Sequence, residues 1–430
     1  MKGVGVEWLE EVPFSWLAFR VHSLFRRKLA ISKPNAELLS VYREYGVVPK
    51  SSRDDNFNRT GADLSAYQYV EVGDLVLNKM KTWQGSIAVS NHSGLVSPAY
   101  YVAKPWKAMN LQYIHHLLRS PRYIDRFAAL SAGVRVNQWD LSYEDFKNVL
   151  VLFPPVDEQC RIAAWLDLQT HRIDKRRALL GKKRELLREL RQTLLDEVIS
   201  NGLTKNRSVQ TGQPALPKLP VHWSLSKFKS KVFFREGPGI MAADFTDAGV
   251  PLLRIGNMTS GLITMAGCNY VDPEKAERQW RQFRLKLGDL VISASASTGM
   301  VSEVGTDAVG AIPYTGLIIL RPKTGLTKAY LRLFVVSEAF LGQVEDFLKG
   351  STIHHFGPTH LRQMLISVPP LAEQNEIATF LDRKLSQIDR QTMLIDQLDE
   401  LLQQQRKAII HEAVTGKIDL SAYDPPVQTA

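Results

Sequence analysis

Residues 154–203 read PPVDEQCRIAAWLDLQTHRIDKRRALLGKKRELLRELRQTLLDEVISNGL, and this stretch predicts one long helix. Two prolines suit the first turn of a helix and no later position. The acidic residues that follow favour the positive end of a helix dipole. Apolar residues then recur every seven positions between charged ones, which is typical of a coiled-coil seam. The predicted seam residues are Leu166, Ile173, Leu180, Leu187 and Leu194.

The same pattern returns near the end of the chain, displaced by 370 − 155 = 215 positions without a gap. Pro369-Pro370 corresponds to Pro154-Pro155, and Glu373-Gln374 corresponds to Glu158-Gln159. An ungapped match of this length indicates an internal repeat. The chain is therefore expected to contain two units, each with a globular half followed by a long helix. The second predicted seam consists of Leu381, Ile388, Ile395, Leu402 and Ile409.

Each globular half has short apolar runs punctuated by Gly and Pro, which favours strands, and a helical segment near its end, at 113–130 and 330–348. The expected fold class is α/β in the mixed α+β sense. Two similar globular domains would be separated by two long helices that pack as an antiparallel coiled coil, with pseudo-two-fold symmetry. The expected divisions are 1–153 for the first domain, 154–204 for the central helix, 205–368 for the second domain with a linker at 205–219, 369–418 for the C-terminal helix, and 419–430 for a tail.

Composition narrows the class of protein. A formal net charge of +10 and a pI near 9.4 fit a polyanionic partner. Hydrophobic and charged contents of 44% and 23% are ordinary for a soluble globular chain. No run of eighteen apolar residues occurs and the first residues do not begin a secretory signal, so we expect a cytoplasmic protein without a membrane segment.

Motifs for catalysis are missing from the sequence. It contains no Gly-x-Gly-x-x-Gly or Walker loop, no His-Glu-x-x-His and no Cys-x-x-Cys. His354-His355 and His360 have no neighbouring carboxylate or cysteine cluster that would complete a metal site. We therefore expect a chain that is not an enzyme on its own, with no catalytic residue, no metal and no bound cofactor.

Polar residues suited to nucleic acids concentrate in the predicted loops of both halves. Arg, Lys, Asn and Gln suit base edges, and Lys, Arg, Ser and Thr suit phosphates. In the first half the candidate DNA-binding residues are Arg43, Lys50, Ser51, Arg53, Arg59, Lys79, Lys81, Trp83, Gln84, Arg135, Asn137 and Gln138. In the second half they are Arg235, Arg254, Asn257, Ser293, Ser295, Ser297, Thr298, Ser351, Thr352, His354 and His355.

The two halves share a Gly-Asp-Leu-Val segment but differ in the residues that follow it. Gly73-Asp74-Leu75-Val76 recurs as Gly288-Asp289-Leu290-Val291, which predicts the same hairpin in both halves. Strand alternation would then place Lys79 and Lys81 on one face of the first hairpin and serines on the comparable face of the second. A long cation reaches guanine O6 and N7, whereas a short hydroxyl on the same backbone does not. A solvated strand face explains the same pattern, and both interpretations stay open at this point.

The repeat and its motifs resemble the specificity subunit of type I restriction–modification systems. The most specific parts are the paired Pro-Pro-x-x-Glu-Gln helix starts, with the ending Ala413-Val-Thr-Gly-Lys417. Residues 45–49 and 94–100 look like one common type of target-recognition domain, and residues 253–257 look like another. Asn201-Gly202 departs from the pattern, because Gly416-Lys417 stands at the matching positions, so the two helices are expected to end differently.

The resemblance implies a non-catalytic subunit that binds double-stranded DNA. Each globular half would be a target-recognition domain for one part of a bipartite, asymmetric target. The helices would dock two methylation subunits, which bring S-adenosylmethionine, and restriction subunits that use ATP and magnesium would join the larger complex. The alternative is a non-enzymatic repeat scaffold or adaptor whose coiled coil binds protein partners.

Overall fold

The computed structural model of the chain describes residues 1–9, 11–28, 36–43, 45–53, 64–135, 138–204, 207–294, 300–348 and 356–425. These residues belong to two compact units, one formed by residues 1–181 and 396–430 and the other by residues 182–395. Each unit holds one globular domain, the first part of the long helix that follows that domain, and the last part of the other long helix. We call the globular domains domain 1 and domain 2.

Domain 1 is built on a four-stranded antiparallel sheet in the order β2-β9-β6-β7. Hairpin β3–β4 and the pairs β5–β8, β1–β12 and β10–β11 complete its strands. Its strands are β1 (Leu17–Arg20), β2 (Phe25–Arg27), β3 (Leu39–Tyr42), β4 (Gly46–Pro49), β5 (Gln68–Val70), β6 (Leu75–Asn78), β7 (Ile87–Val89), β8 (Gly94–Val96), β9 (Tyr100–Pro105), β10 (Ala132–Arg135), β11 (Gln138–Asp140) and β12 (Leu150–Phe153). Its helices are α1 (Leu111–Leu118), α2 (Pro121–Leu130) and α3 (Tyr143–Lys147), and the long helix α4 (Val156–Asn201) follows.

Domain 2 repeats this plan with the sheet β16-β23-β20-β21 and adds a second sheet in the order β17-β19-β18-β22. Its strands are β13 (Ser208–Gln213), β14 (Leu216–Pro220), β15 (Ser224–Lys227), β16 (Val232–Glu236), β17 (Phe245–Thr246), β18 (Val250–Leu253), β19 (Asn269–Val271), β20 (Leu290–Ser293), β21 (Val301–Glu303), β22 (Ile312–Pro313), β23 (Leu317–Pro322) and β24 (Leu365–Val368). Its helices are α5 (Phe228–Lys231), α6 (Pro273–Lys275), α7 (Lys328–Phe334), α8 (Glu338–Leu348) and α9 (Pro358–Leu361), and the long helix α10 (Leu371–Val414) follows.

Buried polar contacts repeat between the two units. The Trp16 indole donates to Glu158 over 2.9 Å, and the Trp223 indole donates to Glu373, which lies 215 positions after Glu158, over 3.0 Å. The buried Tyr113 hydroxyl donates to the Leu152 carbonyl. In domain 2 the matching contact joins the Tyr330 hydroxyl and the side chain of Ser367, which lies 215 positions after Leu152. The predicted internal repeat is therefore confirmed at the level of individual hydrogen bonds.

The long helices pack against each other in antiparallel fashion. In the first unit Asp174 of α4 pairs with Arg406 of α10 at 3.1 Å, and Arg177 pairs with Asp399 at 2.8 Å, so position rises in one helix as it falls in the other. In the second unit Arg191 pairs with Asp389 at 2.9 Å. Asp174 and Arg406 become Asp389 and Arg191 when the repeat offset is applied, so the same ion pair is made twice.

The predicted seam residues of both long helices are withdrawn from solvent. Of the ten predicted seam residues, Leu180, Leu194 and Ile409 are half-buried, and the others are buried. The far end of each helix also enters a domain core. Leu195 and Ile199 of α4 lie in the core of domain 2, and Ile410 and Val414 of α10 lie in the core of domain 1. The predicted fold class, with an antiparallel coiled coil between two similar domains, is confirmed.

Several local predictions differ from the structure. The segment expected as a linker forms hairpin β13–β14, because Leu216 and Leu219 are buried in the domain 2 core. The segment 113–130 is two helices rather than one, since α1 ends before Ser120 and Pro121 starts α2. The segment 330–348 is likewise divided, into α7 and α8. The helix ends differ as expected, because α4 reaches Asn201 whereas α10 stops at Val414.

A buried aspartate joins the second Gly-Asp turn to the sheet of domain 2. The Asp289 carboxylate accepts hydrogen bonds from the Lys286 amide at 2.8 Å and from two Arg321 nitrogens at 2.6 Å. These bonds with Asp289 raise the pKa of the Arg321 guanidinium above its ordinary value. Asp74 occupies the matching position in domain 1, where it accepts from the Glu71 amide and from Lys28.

Asp289→Asn is therefore expected to lower the free energy of unfolding of domain 2 by about 3 kcal/mol. We take the low end of the range for broken buried ion pairs because the Arg321 side chain keeps 25% exposure. Hydrogen exchange of the β20 and β23 amides measures the change, with domain 1 as an internal reference. Asp247→Asn, at an exposed position, is the matched control. Equal protection in both variants would contradict a stabilising role for this pair.

Candidate nucleic-acid interface

The structure brings three groups of candidate residues together in domain 1. A Cβ added at Gly85 would lie 3.6 Å from the Cγ of Arg43, so the tip of hairpin β3–β4 lies beside the turn at residues 79–85. The rings of Trp83 and Trp139 lie 4.8 Å apart, which joins that turn to hairpin β10–β11. The backbone amide of Leu141 also donates to the Lys79 carbonyl. These loops therefore form one polar, aromatic surface, which we call the domain 1 loop surface.

Lys79 and Lys81 do not lie on a strand face as predicted. Strand β6 ends at Asn78, where the Asn78 side chain accepts from the Met80 amide and turns the chain. Lys79 donates to the Pro98 carbonyl at 2.7 Å and lies 4.7 Å from the centroid of the Tyr101 ring. Lys81 and Gln84 are exposed. Both lysines therefore belong to the turn. Lys79 contacts Pro98 and Tyr101, whereas Lys81 faces solvent.

The remaining described candidates of domain 1 lie in or after hairpin β3–β4 and on hairpin β10–β11. Arg43 is exposed at the tip of the hairpin, and Lys50 is half-buried. The Ser51 hydroxyl donates to Glu37 at 3.3 Å. The guanidinium carbon of Arg53 lies 5.3 Å from the ring centroid of Tyr42 and 4.4 Å from that of Tyr45. Arg135 and Gln138 lie at facing ends of β10 and β11.

Domain 2 presents its candidate arginines on aromatic rings. Exposed Arg254 follows β18, and its guanidinium carbon lies 5.0 Å from the centroid of Phe245 and 5.4 Å from that of Tyr314. Arg235 of β16 donates to the Gln282 carbonyl at 2.5 Å and lies over the ring of Phe233. Rings of this kind hold a guanidinium in place and leave its edge available for hydrogen bonds.

Asn257 and Ser293 are withdrawn as candidate base contacts because both are buried. Asn257 is 3% exposed. Its side-chain oxygen accepts from the Arg254 amide, and its nitrogen donates to the carbonyls of Thr264 and Ala266. These bonds use the amide to hold the loop after β18. Ser293 is 2% exposed at the end of β20.

Nine candidate residues lie outside the described residues. They are Arg59, Asn137, Ser295, Ser297, Thr298, Ser351, Thr352, His354 and His355.

The structure adds Arg119 and Tyr45 to the candidate residues of domain 1. Arg119, at the end of α1, donates to the carbonyls of Tyr42 and Arg43 at the tip of hairpin β3–β4 and to the carbonyl of Ile87 in β7. The Tyr45 side chain is 57% exposed at the same tip. A surface aromatic next to arginines was a signal in the sequence for Tyr45. Arg119 had none, since its partners are backbone atoms 32 to 77 positions away.

The described residues show neither a metal-ligand cluster nor a membrane-spanning helix. They contain no group of three or more His, Cys, Asp or Glu side chains that could hold a metal ion. Among the same residues, no helix combines the length and the apolar character needed to cross a lipid bilayer.

Comparison with known proteins gives consistent matches. Residues 220–400 match the family model described as the type I restriction modification DNA specificity domain. The chain is 24% identical over 280 residues to the type I restriction enzyme MjaVIII specificity subunit of Methanocaldococcus jannaschii, covering 64% of this chain and 63% of that relative. It is 27% identical over 177 residues to the EcoKI specificity subunit of Escherichia coli K12, covering 40% of this chain and 37% of that relative. Both matches span less than two thirds of the relative's length.

Solved structures share the fold. One is a chain from work on the complex assembly and conformational transition of the type I R-M system, with a TM-score of 0.74 and 17% identity over 95% of this chain and all of that chain. Another is the HsdS subunit from Thermoanaerobacter tengcongensis, with a TM-score of 0.52 and 19% identity over 95% of this chain and 99% of that chain. The repeat, the antiparallel coiled coil and these matches agree: in sequence and in fold the chain is similar to specificity subunits of type I restriction–modification systems.

Proposed function

We propose that this chain is the non-catalytic DNA specificity subunit of a type I restriction–modification complex. Domain 1 and domain 2 each read one part of a bipartite, asymmetric target in double-stranded DNA. The observation that carries the proposal is the contrast between scaffold and loops. The contacts of Glu158 and Asp174 recur 215 positions later, whereas the exposed loop residues do not. Two equal scaffolds with unequal surfaces suit two different half-sites.

The charge of the loop surfaces supports DNA as the ligand. The net charge of +10 attracts a polyanion. Exposed Arg254 in domain 2 lies over aromatic rings, and exposed Arg43 and Lys81 belong to the domain 1 loop surface together with Trp83 and Trp139. Arginine and lysine at such positions contact phosphates and the guanine edge in the major groove.

The long helices carry a repeated apolar surface that suits two protein partners. Leu179 and Leu394, 215 positions apart, are 58% and 52% exposed. Leu186 and Leu401 are related in the same way and are 64% and 60% exposed. Apolar side chains exposed in a row on a helix are typical of a docking surface. We propose that one methylation subunit docks on each copy of this surface and brings S-adenosylmethionine, and that restriction subunits supply ATP- and magnesium-dependent activity.

Salt dependence tests DNA binding directly and separates it from an adaptor that binds peptide or glycan. With roughly five phosphates neutralised, affinity for target duplex should fall by about two or more decades between 50 and 200 mM salt. The measurement uses the chain assembled with its methylation subunits and a labelled duplex. Lys81→Gln should lower the slope of log affinity against log salt by about one. An affinity for duplex that does not change with salt would favour the adaptor.

A further inference from the structure

Hairpin β3–β4 and Arg53 form a structured element within the domain 1 loop surface. We propose that this hairpin is the base-reading element of domain 1, that Arg53 contacts a guanine of the first half-site, and that Arg119 is a positioning residue that holds the hairpin for reading. The proposal rests on the proposed function, because it names the residues and the base through which one half-site is read.

Arg119 fixes the tip of the hairpin to the body of domain 1. Its guanidinium donates to the Tyr42 carbonyl at 3.4 Å and to the Arg43 carbonyl, both at the tip. It also donates to the Ile87 carbonyl at 3.0 Å, in strand β7 of the central sheet. A guanidinium is a rigid fork of five donors, so a single side chain can set the position of the tip relative to the sheet. A lysine has no comparable fork.

Close packing beneath the hairpin supports the same role. Gly46 begins β4 with φ +73°, and a Cβ there would lie 3.3 Å from the Cβ of Ala88 and 3.3 Å from the Cε1 of His115. A side chain at this position would strain the backbone and would require Ala88 and His115 to shift by a few tenths of an ångström. Burial, and after it the charge of Arg119, lowers the pKa of His115 to about 3. A neutral imidazole therefore lies next to the arginine at neutral pH.

Half-buried Arg53, which follows the hairpin, lies against two tyrosine rings of the hairpin. The Tyr42 and Tyr45 rings lie 6.5 Å apart at 78°, and the Arg53 guanidinium lies within 5.3 Å of both centroids. Tyrosine rings attract a guanidinium through the faces of their π systems and orient its plane. An arginine that donates through two nitrogens to guanine O6 and N7 is the commonest specific base contact. On this general preference we assign guanine to Arg53.

The test measures base preference at every position of both half-sites. The full chain is assembled with its methylation subunits, and methylation of a library with randomised target positions is sequenced. Arg53→Ala should reduce discrimination in favour of guanine at one position of the first half-site by about 5- to 150-fold. Arg53→Lys should retain part of it. Arg254→Ala is the matched control, because its effect should fall on the second half-site.

Arg119→Gln separates positioning from structural support. It should relax preference at several positions of the first half-site and raise KM for DNA more than it lowers kcat, while the second half-site stays the same. Arg119→Lys should not restore the preference, because it lacks the fork. Hydrogen exchange of β6 and β7 checks folding. Weaker hydrogen-exchange protection of β6 and β7 together with unchanged base preference would show that Arg119 only stabilises the domain. That result would refute its role in positioning the hairpin.

Other outcomes are equally decisive. Wild-type base preference in Arg53→Ala, or a change confined to the second half-site, would refute the reading role of Arg53. If the wild-type complex showed no base preference in either half-site, the proposed function itself would fail, and this inference would fail with it. The two failures are distinguishable because only the second affects the wild-type complex.

Discussion

Lengthening both long helices by one heptad, after Gly181 in α4 and after Ile395 in α10, is expected to lower affinity for the bipartite target by about 10²- to 10⁴-fold. These points divide the two compact units, so the ion pairs and cores within each unit are kept. Seven residues add about 10.5 Å, the length of about three base pairs. Three base pairs turn DNA by about 100°, whereas a heptad turns the helix pair by only about 20° in the opposite direction. One domain would therefore miss its half-site.

Inserting three heptads at the same points should restore binding to a target with a longer spacer. Twenty-one residues add about 31.5 Å, close to nine base pairs. The helices then turn by about −60°, and nine base pairs turn DNA by about 310°, which is equivalent to about −50°. Targets with spacers lengthened by zero to twelve base pairs measure both variants. Unchanged half-sites with an unchanged spacer in either variant would show that the helices do not set the spacing.

Leu381→Asp is expected to have the second large effect, because the side chain has 0% exposure in the seam and in the core of domain 2. An unpaired buried carboxylate should cost about 4 kcal/mol or more of unfolding free energy. Domain 2 amides should lose their protection from hydrogen exchange, and those of domain 1 serve as reference.

Leu394→Asp on the same helix is the matched control. Its side chain is 52% exposed, so unfolding free energy should change by less than about 0.5 kcal/mol. The same variant should weaken association with the methylation subunit, which sedimentation of the mixed subunits measures. Full association by Leu394→Asp would contradict docking at the repeated apolar surface. Equal hydrogen-exchange protection of the domain 2 amides in Leu381→Asp and in the wild type would contradict the place of Leu381 in the seam.

The helices and the repeat could be predicted because their signals are periodic and occur twice. Heptad spacing from Leu166 to Leu194 determines which side of α4 is buried, whatever the rest of the fold. The 215-position offset then applies the same argument to α10. Hairpin β13–β14 was missed because Gly212 and Pro214 are typical of a linker, while the burial of Leu216 depends on a core formed by distant residues.

The candidate interface was less predictable because its residues are defined by tertiary contacts. Composition could not distinguish Asn257, whose amide holds a loop, from an asparagine that faces a ligand. Strand alternation placed Lys79 and Lys81 on one face, but β6 ends at Asn78. Arg119 acts on backbone carbonyls, which any sequence supplies, so no pattern of residue types could indicate it.

Mapping of methylated bases across genomic DNA from cells that carry this chain and its methylation subunit tests the central claim most directly. Cells that carry the methylation subunit alone are the control. The account predicts methylation at one bipartite, asymmetric sequence with a spacer of fixed length, and only when this chain is present. Methylation at a continuous palindrome, or at the same sites without this chain, would contradict it.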